Sequence, residues 1–263
     1  MALLEESAPN IRLSMPALDP PPALNRAIAL AVHRGCVRAA LEDDFHHFRV
    51  VLRHDGRRIV AATSESLRHP YSLCPAAGER LNQLVGAELA EGLTKVFRLT
   101  DPRQQCTHQF DLAALAIAAA ARGSSRHYHA RVPDLIDDRT DPQLWRDGES
   151  ILSWRVQAGV VTFPARYSGI TLRHGFTDWA ARELEPDERE AAIVLRRAVM
   201  IAVGRGMLPQ LDRELYPPAR GGCWVMQPER NRTARRVFGS VQDFSARSGM
   251  LLGGDVAWLA GST

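Results

Sequence analysis

The sequence predicts an α+β protein in which an antiparallel sheet, a long hairpin plus a meander, packs against several helices. Three observations predict it. Phe48, Val50 and Leu52 alternate with more polar neighbours ahead of Asp55-Gly56, the pattern of a half-buried strand running into a tight turn. The alanine- and leucine-rich run Leu112 to Ala121 has the composition of a buried helix. Pro186 to Val203 is apolar over most of a helical circumference after Ala191, which places it deep in the body or in a dimer interface.

The elements follow in order. Residues 1–24 carry Pro16, Pro20, Pro21 and Pro22 and read as an extended arm. Val37 to Thr63 reads as the long hairpin. Pro75 suits a first helical position, Leu81, Leu84 and Val85 form a buried stripe and Gly86 is a stop, so 75–85 is expected to be helical with Cys74 at its start. A second helix is expected from Thr107, as N-cap, to the residue before Gly123, with Cys106 just outside it. Strands are expected at Arg126 to Val132, near Ile151 to Gln157, and at Val160 to Tyr167, the last two joined at Ala158-Gly159. A helix spans Pro186 to Val203 and ends at Gly204. Residues 25–203 are then one core domain and 204–263 a loop-rich extension packed on it, with a short helix near Asn231 to Phe238.

Composition excludes several classes. A chain of 263 residues, 45% apolar, is long enough to bury a large core. Its longest apolar run is about half of the roughly 20 residues a membrane span needs, and no export signal stands at the start, so a cytoplasmic protein is expected. Four scattered cysteines read as free thiols. The formal charge of +3 comes from interleaved acids and bases, so nucleic acid is not expected as a partner. Lys95 is the only lysine, which argues against Schiff-base chemistry. Gly204-Arg205-Gly206 lacks the further spacing of a phosphate loop, and no cofactor is assigned.

The densest polar cluster is Asp43-Asp44-Phe45-His46-His47. In a strand, alternation sends His46 and Asp44 to one face, where the carboxylate orients the imidazole as a general base needs; the same pattern also marks a solvated strand end. Cys74 and Cys106 fall at helix starts, where unpaired N–H groups favour the thiolate, although free cysteine is equally a core residue. His108 and Asp111 lie three apart on one helical face, so Cys106, His108 and Asp111 are expected to converge. A metal would draw on Cys74, Cys106, His108 and Asp55, without any established ligand spacing. Both imidazoles of Arg126-His127-Tyr128-His129 share one face and Tyr128 the other. Trp224 and Tyr216 are candidate walls for a flat ligand, and Arg230, Arg232, Arg235 and Arg236 a candidate anion or nucleic-acid stripe or a solvated face.

The hairpin with Asp44 and Asp55-Gly56, the segment Pro70-Tyr71-Ser72-Leu73-Cys74 leading into a helix, and Cys106-Thr107-His108 resemble the bacterial domain-of-unknown-function family 2889 over roughly residues 35–200. The order of elements is also distantly similar to the SufE/NifU iron–sulfur scaffold fold, without that fold's Cys-containing Gly-rich loop. The resemblance implies catabolism of lignin-derived aromatic compounds by a cofactor-free carbon–carbon lyase, such as one releasing formaldehyde. His46 with Asp44, or His108, would be the base, with Cys106 and Asp111 beside it. Tyr71, Tyr128 or Arg49 would steady the phenol oxygen, and Cys74 and Trp224 would border the substrate. The expected assembly is a homodimer with a small aromatic substrate and no membrane partner. The alternatives are a metal or cluster carrier using Cys74, Cys106 and His108, and a nucleic-acid or protein adaptor.

Overall fold

The computed structural model describes residues 21–208, 213–218 and 221–261. Residues 1–20 of the proline-rich arm lie outside them, and the arm read to residue 24 ends earlier, since Ala23 and Leu24 already open the first strand. The fold is α+β, as the patterning implies. Ten strands form a seven-stranded antiparallel sheet, ordered β4-β3-β2-β1-β5-β7-β8, and a three-stranded sheet ordered β10-β9-β6. The large sheet comprises β1 (Ala23–His33), β2 (Cys36–Asp43), β3 (His47–His54), β4 (Ile59–Arg68), β5 (Arg126–Pro133), β7 (Gln143–Arg146) and β8 (Glu149–Ser153). The small one comprises β6 (Arg139–Thr140), β9 (Arg155–Gln157) and β10 (Val160–Phe163). The expected single sheet is therefore two, because β8 and β9 are separated by Trp154, whose N–H bonds to Pro142 O instead of continuing a ladder.

Inward-facing residues of the central strands define the core. Leu24, Ile28 and Leu30 of β1, Val37, Ala39 and Leu41 of β2, and Phe48, Val50 and Leu52 of β3 join one apolar cluster. Period-two alternation puts Arg26 and Asp43 on that same inner face, and His47, Arg49 and Glu42 on the outer one. Two long helices cover the inner face: α2 (Thr107–Arg122) across β2 and β3, and α4 (Pro186–Gly206) across β5 and β1. Between them in sequence, α3 (Phe176–Glu183) packs on α4, and ahead of both the one-turn α1 (Leu93–Val96) packs on α2. The segment Pro75–Leu84 is a 3-10 helix burying Leu81 and Leu84, while Val85 is 46% exposed. Thr107 opens α2, but the N-cap position is Cys106 and no side chain caps it.

The described residues after α4 form mostly loops and short turns, including α5 (Val256–Leu259), and the helix expected near 231–238 is absent. They cover the sheet's outer face instead: Phe244, Leu251 and Leu252 cluster with Ala27 and Ala40. With both faces covered, β1 buries both parities, which removes the alternation that marks an exposed-faced strand. Eight apolar residues of α4, among them Ile193, Leu195 and Val199, and the acid Glu190 are buried within the chain itself. Among the described residues no helix is long and apolar enough to cross a membrane.

Candidate active site

The polar cluster at 43–47 is not one strand: Asp43 ends β2, Asp44, Phe45 and His46 form the turn, and His47 begins β3. Asp43 folds it: its Oδ1 accepts the N–H of Phe45 and of His46, each at 2.9 Å, while its own N–H bonds to His46 O at 2.9 Å. The Arg68 guanidinium seals the turn from outside, donating to the carbonyls of Asp43 at 2.6 Å and Asp44 at 2.7 Å. With the backbone so fixed, His46 Nδ1 lies 3.0 Å from Asp43 Oδ1. A carboxylate only accepts, so Nδ1 carries a proton, and in the neutral ring the lone pair is on Nε2. The other Asp43 oxygen takes a buried ion pair from Arg26 of β1. His46, with Arg26 behind, holds the Asp43 carboxyl far below the usual carboxylate range against the cost of burial.

The orienting carboxylate is thus Asp43 and not Asp44. The turn sends Asp44 the other way, to Arg205 of α4 and the N–H of Phe244, and burial pushes its carboxyl up to about 6 despite that arginine. His108, one residue into α2, meets His46 face to face: the ring centroids are 3.8 Å apart with planes inclined by 26°. Phe48 backs both rings. His108 Nε2 is buried with no hydrogen-bond partner, and burial, together with His46 and Arg26, pushes the imidazole well below its ordinary pKa.

Both rings line a cavity of about 280 Å³ whose remaining wall is mostly apolar: Phe45, Pro70 and Tyr71 on one side, Met200, Ile201 and Met207 on the other. Gly204 makes the close approach possible, since a Cβ there would stand 3.2 Å from Phe45 Cζ. Arg236, from the C-terminal segment, also lines the cavity and sits 5.8 Å over the Tyr71 ring. Burial raises the Tyr71 phenol, which keeps it protonated at neutral pH and able to donate.

The other expected site residues lie elsewhere. Asp111 faces away from His108 and is bound by Arg197 at 2.5 and 3.3 Å, because residues three apart on a helix diverge by about 60° and here fall on either side of the sheet contact. Arg49 is on the outer face, bound to Asp255 and stacked on Trp258. Tyr128 faces inward but is committed to Glu190 and Arg126. Trp224 packs under Arg230 at 4.3 Å beside the cysteines, outside the cavity. Cys74 and Cys106 are buried, and desolvation outweighs the helix start: Cys106 is pushed up to about 12 and Cys74 well above its ordinary value. His127 and His129 do share the outer face, where His129 bonds Asn25.

Among the described residues, the one group of three ligand atoms within 4.8 Å of each other is Glu42, His47 and Asp255. Cys74, Cys106, His108 and Asp55 form no such group. Arg68 and Arg49 already neutralise the two carboxylates of the triplet, so it acts as a balanced clamp. The arginines of 230–236 do not form a free stripe either, since Arg230 is stacked on Trp224 and Arg236 is 5% exposed.

With this geometry in view, the comparison with known families falls on its central part. Residues 29–122 match the family described as a protein of unknown function, DUF2889. The DUF2889 segment carries Asp43, His46, Tyr71 and His108, whereas Arg26 and the cavity wall from α4 and the C-terminal segment lie outside it. No curated protein and no solved structure matches the chain. The likeness to SufE/NifU therefore rests on the order of elements alone. Sequence reasoning missed Arg26 and Asp43 as orienter, and read Arg236 as part of an arginine stripe instead of the cavity wall; all three depend on which strand face or chain segment is brought alongside.

Proposed function

We propose that the His46–His108 cavity is the active site of a cofactor-independent acid–base lyase that cleaves a carbon–carbon bond in an aromatic compound, with release of formaldehyde from a hydroxymethyl group. The supporting observation is the stacked imidazole pair lining a mostly apolar cavity, one ring oriented by a buried carboxylate and the other with its Nε2 unpartnered.

His46 Nε2, its lone pair exposed by the Asp43 bond, takes the proton of the hydroxymethyl O–H. The carbon–carbon bond breaks, formaldehyde leaves, and the bonding pair stays on the aryl-bearing carbon. A proton returned to that carbon completes the balance, and the adjacent imidazole is placed to relay it. Phe45, the methionines and Tyr71 form walls suited to a flat apolar body, and the Tyr71 hydroxyl is a donor for a phenol oxygen. As in the sequence reading, the lignin-derived substrate, the cytoplasm and a homodimer belong to this proposal.

The test is incubation of the purified chain with aryl compounds bearing a hydroxymethyl group, with formaldehyde as the readout. His46→Gln and His108→Gln are each expected to lower kcat by ~10²-fold or more. Absence of formaldehyde across such a panel, or unchanged turnover in both variants, overturns the reading.

A further inference from the structure

We propose that a second cavity, on the other flank of α2 from the imidazole pair, binds a small carboxylate with an apolar body. The cavity has a volume of about 320 Å³, and Phe97, Phe110 and Ile193 form its apolar wall. The two phenyl rings lie 5.7 Å apart and tilted, a surface against which a flat body packs.

Its charges are unbalanced. Arg98, Arg196 and Arg197 line it against two carboxylates, Asp111 and Asp178. Arg197 is committed to Asp111, and Arg98 stands 4.0 Å from the exposed Asp178. Arg196 donates to the carbonyls of Leu172 at 2.6 Å and Arg173 at 3.0 Å, and among the described residues no carboxylate pairs with it. Burial and the neighbouring Arg197 lower its pKa to about 10, with Asp111 acting against them from beyond ion-pair distance. An anion there would pair directly with a cation that no described carboxylate contacts.

Two further features point to the same ligand. The cavity deepens into a crevice that shares Phe97, Asp111, Ile193 and Arg197 with it and ends on Arg26. Arg26 is 1% exposed, and its Nε has no hydrogen-bond partner, an unmet donor in an apolar surround. Thr107 at the start of the sixteen-residue α2 also lines the cavity, and the first turn of that helix holds no acidic residue and no side-chain cap. Its backbone N–H groups add partial positive charge. A carboxylate in the cavity meets Arg196 and the start of α2, with Arg26 behind the narrow crevice adding only its field, and the phenyl wall selects one attached to an apolar body.

Calorimetric titration of the full chain with benzoate, benzyl alcohol and inorganic phosphate tests this. Benzoate is expected to bind saturably, at least ~10-fold tighter than either other probe, because benzyl alcohol lacks the charge and phosphate the ring. Arg196→Gln and the exposed Arg98→Gln should each weaken benzoate, the first by ~10-fold, while His108→Gln leaves it unchanged. Arg98→Gln decides the matter if Arg196→Gln does not fold. The proposal is overturned by absence of saturable benzoate binding, by equal affinity for either other probe, or by benzoate affinity that ignores the arginines and falls in His108→Gln, which would put the ligand in the imidazole cavity.

Discussion

The rings of His46 and His108 lie 3.8 Å apart, yet they belong to a turn and a helix with different duties. Two unit charges at that separation repel by about 4 kcal/mol at an effective dielectric of 20, so charge on both rings together is disfavoured. The Asp43 carboxylate bonds His46, while burial, His46 and Arg26 disfavour charge on His108. The arrangement separates a ring oriented by a carboxylate from one whose charged form burial opposes.

Stability should fall on acidification because of His108. Its folded pKa is depressed below the ordinary 6.5, so the unfolded chain binds a proton that the folded chain refuses. The associated stability is fully present above pH 6.5 and is lost as pH falls below it toward the folded value. His69, His127 and His129 are shifted the same way by burial and contribute to the slope. Urea unfolding at pH 7 and pH 5 should show a smaller loss for His108→Gln than for the unaltered chain. An identical loss would mean that His108 is protonated in the folded state.

The Arg26–Asp43 pair should behave as a buried ion pair rather than two independent contacts. Both side chains are essentially inaccessible, at 1% and 0% exposure. Removing one partner strands the other, so Asp43→Asn and Arg26→Met should each cost about 3–5 kcal/mol. Asparagine retains an acceptor for the Phe45 and His46 N–H groups, which leaves the turn intact. The double variant should therefore lose at least ~1 kcal/mol less than the two single losses combined. Simple additivity in denaturant melts would count against a coupled pair.

How far these features are legible before folding depends on whether a signal is local. The alternation of β3, the Asp55-Gly56 turn and the alanine run of α2 are local, and the structure keeps them within a residue or two. His46 is identifiable because it lies in the densest polar cluster, and His108 because it follows a helix-start signal at Thr107. Asp43 and Asp44 are a different matter: a strand reading places Asp44 with His46, and only the hydrogen-bonded turn reverses the pairing. Arg26 is hidden in β1, whose covered outer face erases the alternation, and Arg236 arrives from a segment with no periodicity at all. Such long-range partners have no counterpart in neighbouring residues.

The buried thiols should be inert in the folded chain. Cys74 and Cys106 are each 6% exposed and their thiols are pushed above the ordinary range by burial, whereas Cys36 and Cys223 are partly accessible. Titration with an aromatic disulfide at pH 8 should modify Cys36 and Cys223 first, and reach Cys74 and Cys106 only after denaturant is added. Rapid modification of Cys106, identified by peptide mapping, would revive a nucleophilic role for it.

The C-terminal segment should detach from the sheet when Asp255 is neutralised. Asp255 is 0% exposed and holds two outer-face residues of β3, His47 at 2.7 Å and Arg49 at 2.6 Å. Around it, Trp258 lies under Arg49 at 4.8 Å, His33 bonds Leu259 O at 2.8 Å, and Leu252 N–H donates to Glu42 at 2.8 Å. His47 and Arg49 keep the Asp255 carboxyl below its ordinary pKa against burial, so Asp255→Asn removes the charge on which the clamp is centred. The expected cost is about 2 kcal/mol, less than for the fully enclosed Arg26–Asp43 pair because His47 and Arg49 retain some solvent. Limited proteolysis should then cut after residue 247 at a rate well above that of the unaltered chain, while formaldehyde release from the inner-face cavity persists. Unchanged cleavage in Asp255→Asn would show that the apolar contacts of Phe244, Leu251 and Leu252 hold the segment without the clamp.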